Sequence, residues 1–315
     1  MRQRIAAFPP VDSPLSPVTF LGAGSLAQAL IRGFLAAGIL APDDIRVTNR
    51  SSQERLDEVA RTYDVATYRT KRTALADART IILATKPADA PACLAQCRPI
   101  LESGGLPADD AGWDAGGPLP LLISVVAGLR TAAIEALVPP GLPAVRAMPN
   151  TSCGVRESAT ALAVGRWAGP EHLAAARGLF EAVGLVVELD ESHMNAMTAL
   201  AGSGPAYVYL MLEAMTEAGV RLGLDPDLAH RLSLQTLRGA AATLVATGEA
   251  PAELRRKVTS PGGTTMAALA VLEQAGFRQG VVAAIGRAAE RAGELAGAPS
   301  DGADVLGRSP ARVSG

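Results

Sequence analysis

The chain has 315 residues, of which 49% are hydrophobic and 19% charged, and its formal net charge is −2 at pH 7. This composition excludes a disordered chain, and the near-neutral charge gives no electrostatic reason to expect a nucleic acid or a membrane surface as partner. The length predicts two domains. The sequence has no apolar run of about 18 residues, the minimum for a transmembrane helix. Prolines interrupt residues 1–16, so we expect a flexible leader rather than a signal peptide, and a cytoplasmic protein.

Short β-type runs alternate with helical patterns in the first part of the chain. This alternation predicts a parallel sheet with helices on both faces. Residues 103–118 interrupt it, because they are rich in Gly, Pro and Asp and predict an exposed loop, either a tolerated insertion or a binding loop. The predicted strands are residues 18–21, 45–48, 65–67, 80–84, 121–125 and 144–148, and the first two predicted helices are 25–37 and 51–62.

The pattern becomes helical after about residue 185. Residues 194–222 are apolar on most sides, which predicts a helix buried by more than one neighbour. Asp225 and Pro226 form a cap and a first-turn proline for a helix to about residue 247. The apolar surplus suggests a homodimer in which two copies complete one core. Further helices are predicted at 265–274 and 278–296, and the domains at 17–185 and 186–297, followed by a disordered tail at 298–315.

The run Gly22-Ala23-Gly24-Ser25-Leu26-Ala27 follows the first predicted strand and opens the first helix. In a G-x-G-x-x-A turn the first glycine makes the bend, and the second lets the backbone approach a pyrophosphate. The small third residue allows close packing of helix on strand. Free N–H groups at the helix start then face the phosphates. A plain tight turn has the same pattern, but the position between strand and helix favours a dinucleotide site.

The residues after the second strand indicate which dinucleotide. An NAD enzyme usually carries an acidic side chain there, whereas this chain has Asn49, Arg50, Ser51 and Ser52. A guanidinium group and hydroxyls suit a 2′-phosphate, so we predict NADPH as cofactor, with NADH possible. The alternative is that Arg50 is only a solvated residue at a helix start.

Two further residues follow strands at the carboxyl edge of the predicted sheet, where ligands bind in such folds. Lys86 is placed to approach the cofactor ribose or amide, although an ordinary surface lysine fits equally. Asn150 is a candidate donor near the nicotinamide or the substrate, and turn chemistry is its alternative.

A second polar turn, from Ser260 to Thr265, leads into a predicted helix. The N–H groups of Gly263, Thr264 and Thr265 would form an anion site, with the hydroxyls of Ser260 and Thr265 beside it. A carboxylate and a phosphate fit this site equally well, and a capped helix start without a ligand has the same spacing.

Other chemically active residue types carry weaker signals. Cys93 and Cys97 share a helix face, but no His or second Cys pair lies nearby, so we predict packing and no metal. With Cys153 they number three and cannot all pair. The histidines are candidate acids by residue type only, and we favour surface or capping roles: His172, His193 and His230.

Six sequence blocks follow one another along the chain: FLGAGSLAQALIRGFLAAG, LATKP, ISVVAG, VRAMPNT, ALAGSGPAYVYLMLEAM and VTSPGGTTMAALAVLE. In this order they resemble the pyrroline-5-carboxylate reductase family over about residues 18–297. The last two blocks are the most specific to it. Ala88 and Ser152 depart from the family pattern, in which Gln and Pro are frequent, and the 103–118 loop is longer than usual.

The resemblance implies a Rossmann-type, doubly wound, mainly parallel α/β domain followed by an all-α dimerisation domain, with dimers often forming rings. It implies NADPH-dependent reduction of L-1-pyrroline-5-carboxylate to L-proline, the last step of proline biosynthesis. Two rivals are weaker. A hydroxy-acid reductase generally needs a catalytic lysine in the helical domain. The only lysine there is Lys257, which comes shortly before the predicted substrate turn. A non-enzymatic sensor would have no use for the turn from Ser260 to Thr265.

By motif position, the resemblance also implies site residues. The cofactor pyrophosphate would lie on the turn Gly22, Ala23, Gly24, Ser25 and Leu26. The adenosine ribose would lie near Asn49, Arg50 and Ser51, and the nicotinamide side near Lys86, Pro87 and Asn150. The substrate would lie on Ser260, Gly262, Gly263, Thr264 and Thr265. We predict that Thr265 hydrogen-bonds the ring nitrogen while Ser260 and the turn N–H groups hold the carboxylate.

Overall fold

The computed structural model describes residues 15–50, 52–103 and 119–297. The predicted leader, inserted loop and tail fall almost wholly on residues 1–14, 104–118 and 298–315, which lie outside the described residues, as does Ser51. The chain divides into two compact units, one of Met1–Gly202 with Ala288–Gly315 and one of Ser203–Arg287. The domain bounds drawn from the sequence remain a prediction.

The first unit contains an eight-stranded sheet in the order β3-β2-β1-β4-β5-β6-β7-β8. All neighbours are parallel except β6 and β7. The chain winds outward from β1 in one direction and then from β4 in the other, which confirms the doubly wound, mainly parallel fold. The strands are β1 Val18–Leu21, β2 Ile45–Thr48, β3 Ala66–Tyr68, β4 Thr80–Leu83, β5 Leu121–Ser124, β6 Ala144–Met148, β7 Ser158–Val164 and β8 Gly184–Glu188.

Helices cover both faces of this sheet, because β1, β4, β5 and β6 are buried at every position. One face packs a core around Phe20, Phe34 and Phe180, and the other packs a core around Leu94 and Ile134. The helices of the first unit are α1 Ser25–Ala37, α2 Gln53–Tyr63, α3 Lys71–Leu75, α4 Ala90–Glu102, α5 Thr131–Leu137, α6 Pro170–Glu181 and α7 Met194–Met197.

The sequence analysis did not identify β7, α6 or β8. The strand β7 is built mainly from Ser, Thr and Ala, which carry little β-type signal, and it becomes buried through pairing with β6 and β8. Propensity alone does not detect a strand whose burial comes from its neighbours.

The second unit is helical. It holds α8 Gly204–Arg221, α9 Pro226–Thr247, α10 Pro251–Lys257, α11 Thr264–Gln274 and the first half of α12 Phe277–Leu295. Asp225 caps α9 as predicted, because its Oδ1 accepts hydrogen bonds from the N–H groups of Asp227 (3.0 Å) and Leu228 (3.2 Å). Large apolar side chains remain exposed on these helices, for example Leu222 at 85% and Val245 at 86%.

The predicted continuous helix over residues 194–222 is interrupted. Instead α7 is followed by the π-helical turn Thr198–Gly202 and then by α8. The interruption falls on Gly202-Ser203-Gly204-Pro205, where Pro205 has no N–H to donate and glycine weakens helical order. Within the described ranges, no helix has the length and apolar character needed to cross a membrane.

Candidate functional site

The glycine turn after β1 lies where the sheet changes winding direction. The Gly22 N–H donates to the Thr48 carbonyl (2.9 Å), and the Ala84 N–H donates to the Leu21 carbonyl (3.0 Å). These bonds join the ends of β1, β2 and β4. Gly22 has φ +123°, and a Cβ on it would lie 2.4 Å from the Ala84 oxygen. Only glycine therefore fits at this position.

The start of α1 beside this turn is open. Gly24 is its N-cap and gives no side-chain hydrogen bond, and the first turn contains no acidic residue. A Cβ built on Gly24 would meet no described heavy atom within 4 Å, whereas Ala27 is fully buried against the sheet. The first N–H groups of a helix have no partner within it and carry the positive end of its dipole. This helix start is therefore suited to an anion.

A cavity of about 340 Å³ opens over this helix start. Among the lining residues that the structure describes, four are cationic and one is a carboxylate, so the cavity suits a ligand with several phosphate charges. The lining residues are Leu21, Gly22, Ala23, Gly24, Thr48, Asn49, Arg50, Ser52, Arg55, Lys71, Ala84, Thr85, Lys86, Asp89, Cys93 and Gln96.

Two of the cationic side chains are held by partners across the cavity. Arg50 Nη2 lies 3.0 Å from Asp89 Oδ1, with the side chains 62% and 42% exposed. Lys71 Nζ donates to Gln96 Oε1 (2.7 Å). Exposed ion pairs contribute little free energy, so the Arg50 guanidinium remains available to a phosphate.

The structure brings together part of the cofactor set named from the sequence. Gly22, Ala23, Gly24, Asn49, Arg50 and Lys86 line the cavity. Ser25 and Leu26 form the first turn of α1, and Pro87 follows Lys86. The roles of these residues remain predictions.

Sequence reasoning missed Arg55, Lys71, Asp89 and Gln96. A signal for Lys71 was present, because it opens α3 shortly after β3, at the carboxyl edge where ligands gather. Arg55 lies in the first turn of α2, whose N-cap Ser52 accepts a hydrogen bond from the Arg55 N–H (3.0 Å). Asp89 is the N-cap of α4 and Gln96 lies in its second turn, and the sequence analysis did not delimit this helix.

Asn150 has its amide committed within the chain. Its Nδ2 donates to the Ala201 carbonyl (2.9 Å) in the π-helical turn, and its Oδ1 accepts from the Ser152 N–H (3.0 Å). Only 9% of the residue is exposed. These bonds fit the turn-chemistry alternative, and the predicted role beside the cofactor or substrate remains a prediction.

The second polar turn, from Ser260 to Thr265, belongs to the second unit and is held by a hydrogen bond of its own backbone. The Gly263 N–H donates to the Ser260 carbonyl (3.0 Å), and Gly262 has φ +70°. Proline at the second position and a positive-φ glycine at the third fit a type II turn. Gly263 is the N-cap of α11 and provides no side-chain bond. A Cβ on Gly263 would lie 2.4 Å from Ser260 Oγ, so the glycine leaves room for that hydroxyl beside the helix start.

In the same turn, Ser260 is exposed and Thr265 is half-buried in the first turn of α11. The first turn of α11 contains no acidic residue. The local geometry therefore gives free N–H groups and two hydroxyls at one helix start, which is suited to a small carboxylate or phosphate.

A buried ion pair supports the sheet beyond the cavity. Arg146 on β6 is 1% exposed, and its Nη1 lies 3.3 Å from Glu191 Oε1. The same carboxylate accepts from the Thr131 N–H (2.8 Å) and from its hydroxyl (2.6 Å) at the start of α5. Burial lowers the pKa of the Arg146 guanidinium, and the bond to Glu191 opposes that shift. The sequence analysis did not identify this pair.

No group of three or more potential metal ligands occurs in the part of the chain that the structure describes.

The sheet, the open helix start and the cationic cavity define a Rossmann-type nucleotide-binding unit of an NAD(P)-dependent oxidoreductase. Residues 17–104 match the family model described as NADP oxidoreductase, coenzyme F420-dependent. Residues 191–295 match the model described as pyrroline-5-carboxylate reductase dimerisation.

Whole-chain relatives agree with these matches. The chain is 40% identical over 281 residues to pyrroline-5-carboxylate reductase 2 of Bacillus subtilis, covering 89% of this chain and 95% of that protein. The reductase from Coxiella burnetii superposes with a TM-score of 0.75 at 35% identity, covering 89% and 98%. The Plasmodium falciparum enzyme, solved with NADP bound, gives 0.79 at 26% identity, covering 90% and 100%. The chain belongs to the pyrroline-5-carboxylate reductase family.

Proposed function

We propose that this protein reduces L-1-pyrroline-5-carboxylate to L-proline with NADPH, completing proline biosynthesis. The observation that carries the proposal is the turn from Ser260 to Gly263 leading into the uncapped start of α11, in a chain of this family. The carboxylate is the one full negative charge of this substrate, and a helix start with adjacent hydroxyls is suited to it.

In this proposal the cationic cavity holds the nucleotide. The open start of α1, Gly22 to Leu26, binds the pyrophosphate through backbone N–H groups. Asn49 and Arg50, with Ser51 beside them, face the ribose that carries the 2′-phosphate. Lys86 and Pro87 lie toward the nicotinamide, with Asn150 beyond them. The excess of cations over carboxylates in the lining supports a nucleotide with an additional phosphate, hence NADPH over NADH.

The substrate site is assigned to the second turn. The N–H groups of Thr264 and Thr265 and the Ser260 hydroxyl hold the carboxylate, whereas the Gly263 N–H closes the turn on the Ser260 carbonyl. Gly262 allows the bend that directs these groups, and Gly263 leaves room for the Ser260 hydroxyl. The Thr265 hydroxyl hydrogen-bonds the ring nitrogen and fixes the position of its proton.

The chemistry requires positioning more than acid or base strength. When bound, the nicotinamide supplies a hydride to the imine carbon. A protonated imine already accepts a hydride readily, so the protein's tasks are to align the ring and exclude water. A hydroxyl such as that of Thr265 is sufficient for this because it does not need to donate its own proton.

We extend the proposal to assembly and location. The matched dimerisation region and the exposed apolar side chains of the second unit support a homodimer. Assembly of dimers into a ring, completion of the substrate site across the dimer interface, and a cytoplasmic location follow the family resemblance.

The test is L-proline-dependent reduction of NADP⁺ by the purified protein at alkaline pH. Activity with L-proline and none with small hydroxy acids would support the proposal. Hydroxy-acid oxidation would identify the rival reductase. Nucleotide binding without turnover of either substrate would identify a sensor.

A further inference from the structure

The wall of the nucleotide cavity contains a thiol that the proposed reaction does not use. Cys93 lies in the first turn of α4, lines the cavity and is 7% exposed. Cys97 lies one helical turn further, is 1% exposed, and like Cys93 forms no disulfide. Residues four apart on a helix are neighbours on its surface. The two sulfurs therefore form a pair, of which one member lines the cavity.

Charged groups surround this pair unevenly. A hydrogen bond from Cys97 lowers the pKa of Cys93, burial raises it, and the positive charges of Lys71 and Arg50 lower it against the opposing charge of Asp89, with a net lowering. The same hydrogen bond, together with burial, raises the pKa of Cys97. Lys71 is held in place by its bond to Gln96, which lies three residues after Cys93 on α4 and is therefore its neighbour on the helix surface.

A lowered pKa at one thiol and a raised pKa at its neighbour are typical of thiol pairs that react with peroxides, in which one thiol attacks and the other resolves. The thiolate is the reactive form of cysteine, and it is favoured by nearby cations and by a helix start. A neighbouring thiol then resolves the first oxidation product. Cys153 is the internal contrast, since burial raises its pKa to about 12 and it does not line the cavity.

We propose that Cys93 is a modification site that reacts with hydroperoxides through the nucleotide cavity, and that Cys97 resolves the product. The Cys93 thiolate attacks one peroxide oxygen, forming an S–O bond and releasing hydroxide or alkoxide as the O–O bond breaks. The Cys97 sulfur then attacks the resulting sulfenic acid. An S–S bond forms, the S–O bond breaks, and water leaves with the Cys97 proton. The two thiols lose two electrons, and the peroxide gains them.

Disulfide formation has a structural consequence for the cavity. Neighbours four apart on a helix have Cβ atoms about 5–6 Å apart, whereas a disulfide needs roughly 3.5–4.5 Å. Closing the bond therefore distorts α4 between Cys93 and Cys97, directly after its first turn. Pro99, which has no N–H to donate to Ala95, already removes one hydrogen bond from this helix. The distortion moves Asp89, the N-cap residue of α4 that pairs with Arg50, and so weakens nucleotide binding.

The experiment uses the purified full chain, treated with hydrogen peroxide with and without NADP⁺, and peptide mass spectrometry. We expect a Cys93–Cys97 disulfide without nucleotide, and an unmodified Cys153 in the same digest. At 100 times its Kd, NADP⁺ should slow the reaction about 100-fold, because only the empty cavity reacts. In Cys97→Ser, dimedone should trap a sulfenic acid at position 93. Oxidised wild-type protein should bind NADPH about tenfold more weakly, with recovery after reduction by dithiothreitol.

The expected protection by NADP⁺ rests on the proposed function. The experiment therefore has to distinguish a failure of the modification site from a failure of the proposed function. Equal oxidation of Cys93 and Cys153, or no oxidation of Cys93 in the folded wild type, would refute Cys93 as a modification site, whether or not the protein has reductase activity. Oxidation of Cys93 unaffected by NADP⁺ that binds would also overturn it. Absence of NADP⁺ binding would instead refute the proposed function, and the mass spectra without nucleotide would still decide the thiol chemistry. The wild-type spectra decide even if Cys97→Ser does not fold.

Discussion

The Cα of Gly22 faces the carbonyl oxygen of Ala84 so closely that an added Cβ would lie 2.4 Å from it, at φ +123°. This contact brings the ends of β1 and β4 together beneath the cavity. Gly24, two residues on, has the opposite surroundings, because its Cβ would meet no described heavy atom within 4 Å. Gly22 is therefore required by the fold, whereas Gly24 is open toward the proposed pyrophosphate site.

Gly22→Ala should destabilise the protein, whereas Gly24→Ala should not. The first change forces a strained φ and a clash with backbone, and we expect a loss of at least about 2 kcal/mol in the free energy of unfolding. The second keeps φ −75°, which alanine adopts readily, but puts a methyl group where the pyrophosphate approaches. Its Kd for NADP⁺ should rise at least about tenfold. Urea unfolding and nucleotide titration measure both. Equal stability of the two variants would refute this division.

Arg50→Ala should discriminate between the two reduced nucleotides. Loss of a hydrogen bond to a charged group corresponds to about 10- to 100-fold, so KM for NADPH should rise by that factor while KM for NADH changes about twofold or less. Arg61→Ala is the matched control, since Arg61 lies on α2 and bonds only its own helix through the Asp57 carbonyl among the described contacts. An equal rise for NADPH and NADH would show that Arg50 does not bind the 2′-phosphate.

Thr265→Ala should lower kcat/KM for pyrroline-5-carboxylate by about 10- to 1000-fold, the range for one lost polar contact to the reacting group. Thr265→Ser retains the hydroxyl and should recover most of the activity. The control is Thr236→Ala, because in the described part of the chain the Thr236 hydroxyl bonds back to the Leu232 carbonyl on its own helix α9 (2.8 Å). Steady-state kinetics at saturating NADPH suffices, and unchanged kinetics in Thr265→Ala would remove this residue from the mechanism.

Glu191→Ala should destabilise the fold through Arg146. The substitution leaves a buried guanidinium without its carboxylate and removes both bonds to Thr131, so we expect a loss of about 3 kcal/mol. Glu188→Ala breaks an exposed pair with Arg177 and should cost less than about 1 kcal/mol. Denaturant unfolding compares the two, and similar losses would show that burial of Arg146 is not the cause.

Much of the fold followed from local signals in the sequence. The predicted bounds of β1, α1, β2 and β6 are those observed, because each is a mainly apolar or amphipathic segment that ends at Gly, Pro or polar residues. The strands β7 and β8 and the interruption before α8 were missed, since they depend on pairing with neighbouring strands and on the backbone of Gly202 to Pro205.

The candidate site divides in the same way. The turn at Gly22 and the turn at Ser260 were readable as contiguous motifs. Lys71, Asp89 and Gln96 were not identified, because they come from two separate segments, α3 and α4 with its N-cap, that meet only after the sheet is assembled. Arg146 and Glu191 are 45 residues apart in the chain, and no local sequence pattern predicts that they form a pair.

In the proposed reaction, a nucleotide in the cationic cavity transfers a hydride to a carboxylated ring held by the turn at Ser260. NADPH carrying deuterium at both C4 positions of the nicotinamide, incubated with the protein and L-1-pyrroline-5-carboxylate, tests this transfer, with the proline analysed by mass spectrometry and NMR. We expect L-proline with one deuterium at C5, formed in proportion to the NADPH consumed, and a rate of its formation about 10- to 1000-fold lower in Thr265→Ala. Proline without deuterium at C5, or no proline while NADPH binds, would contradict it.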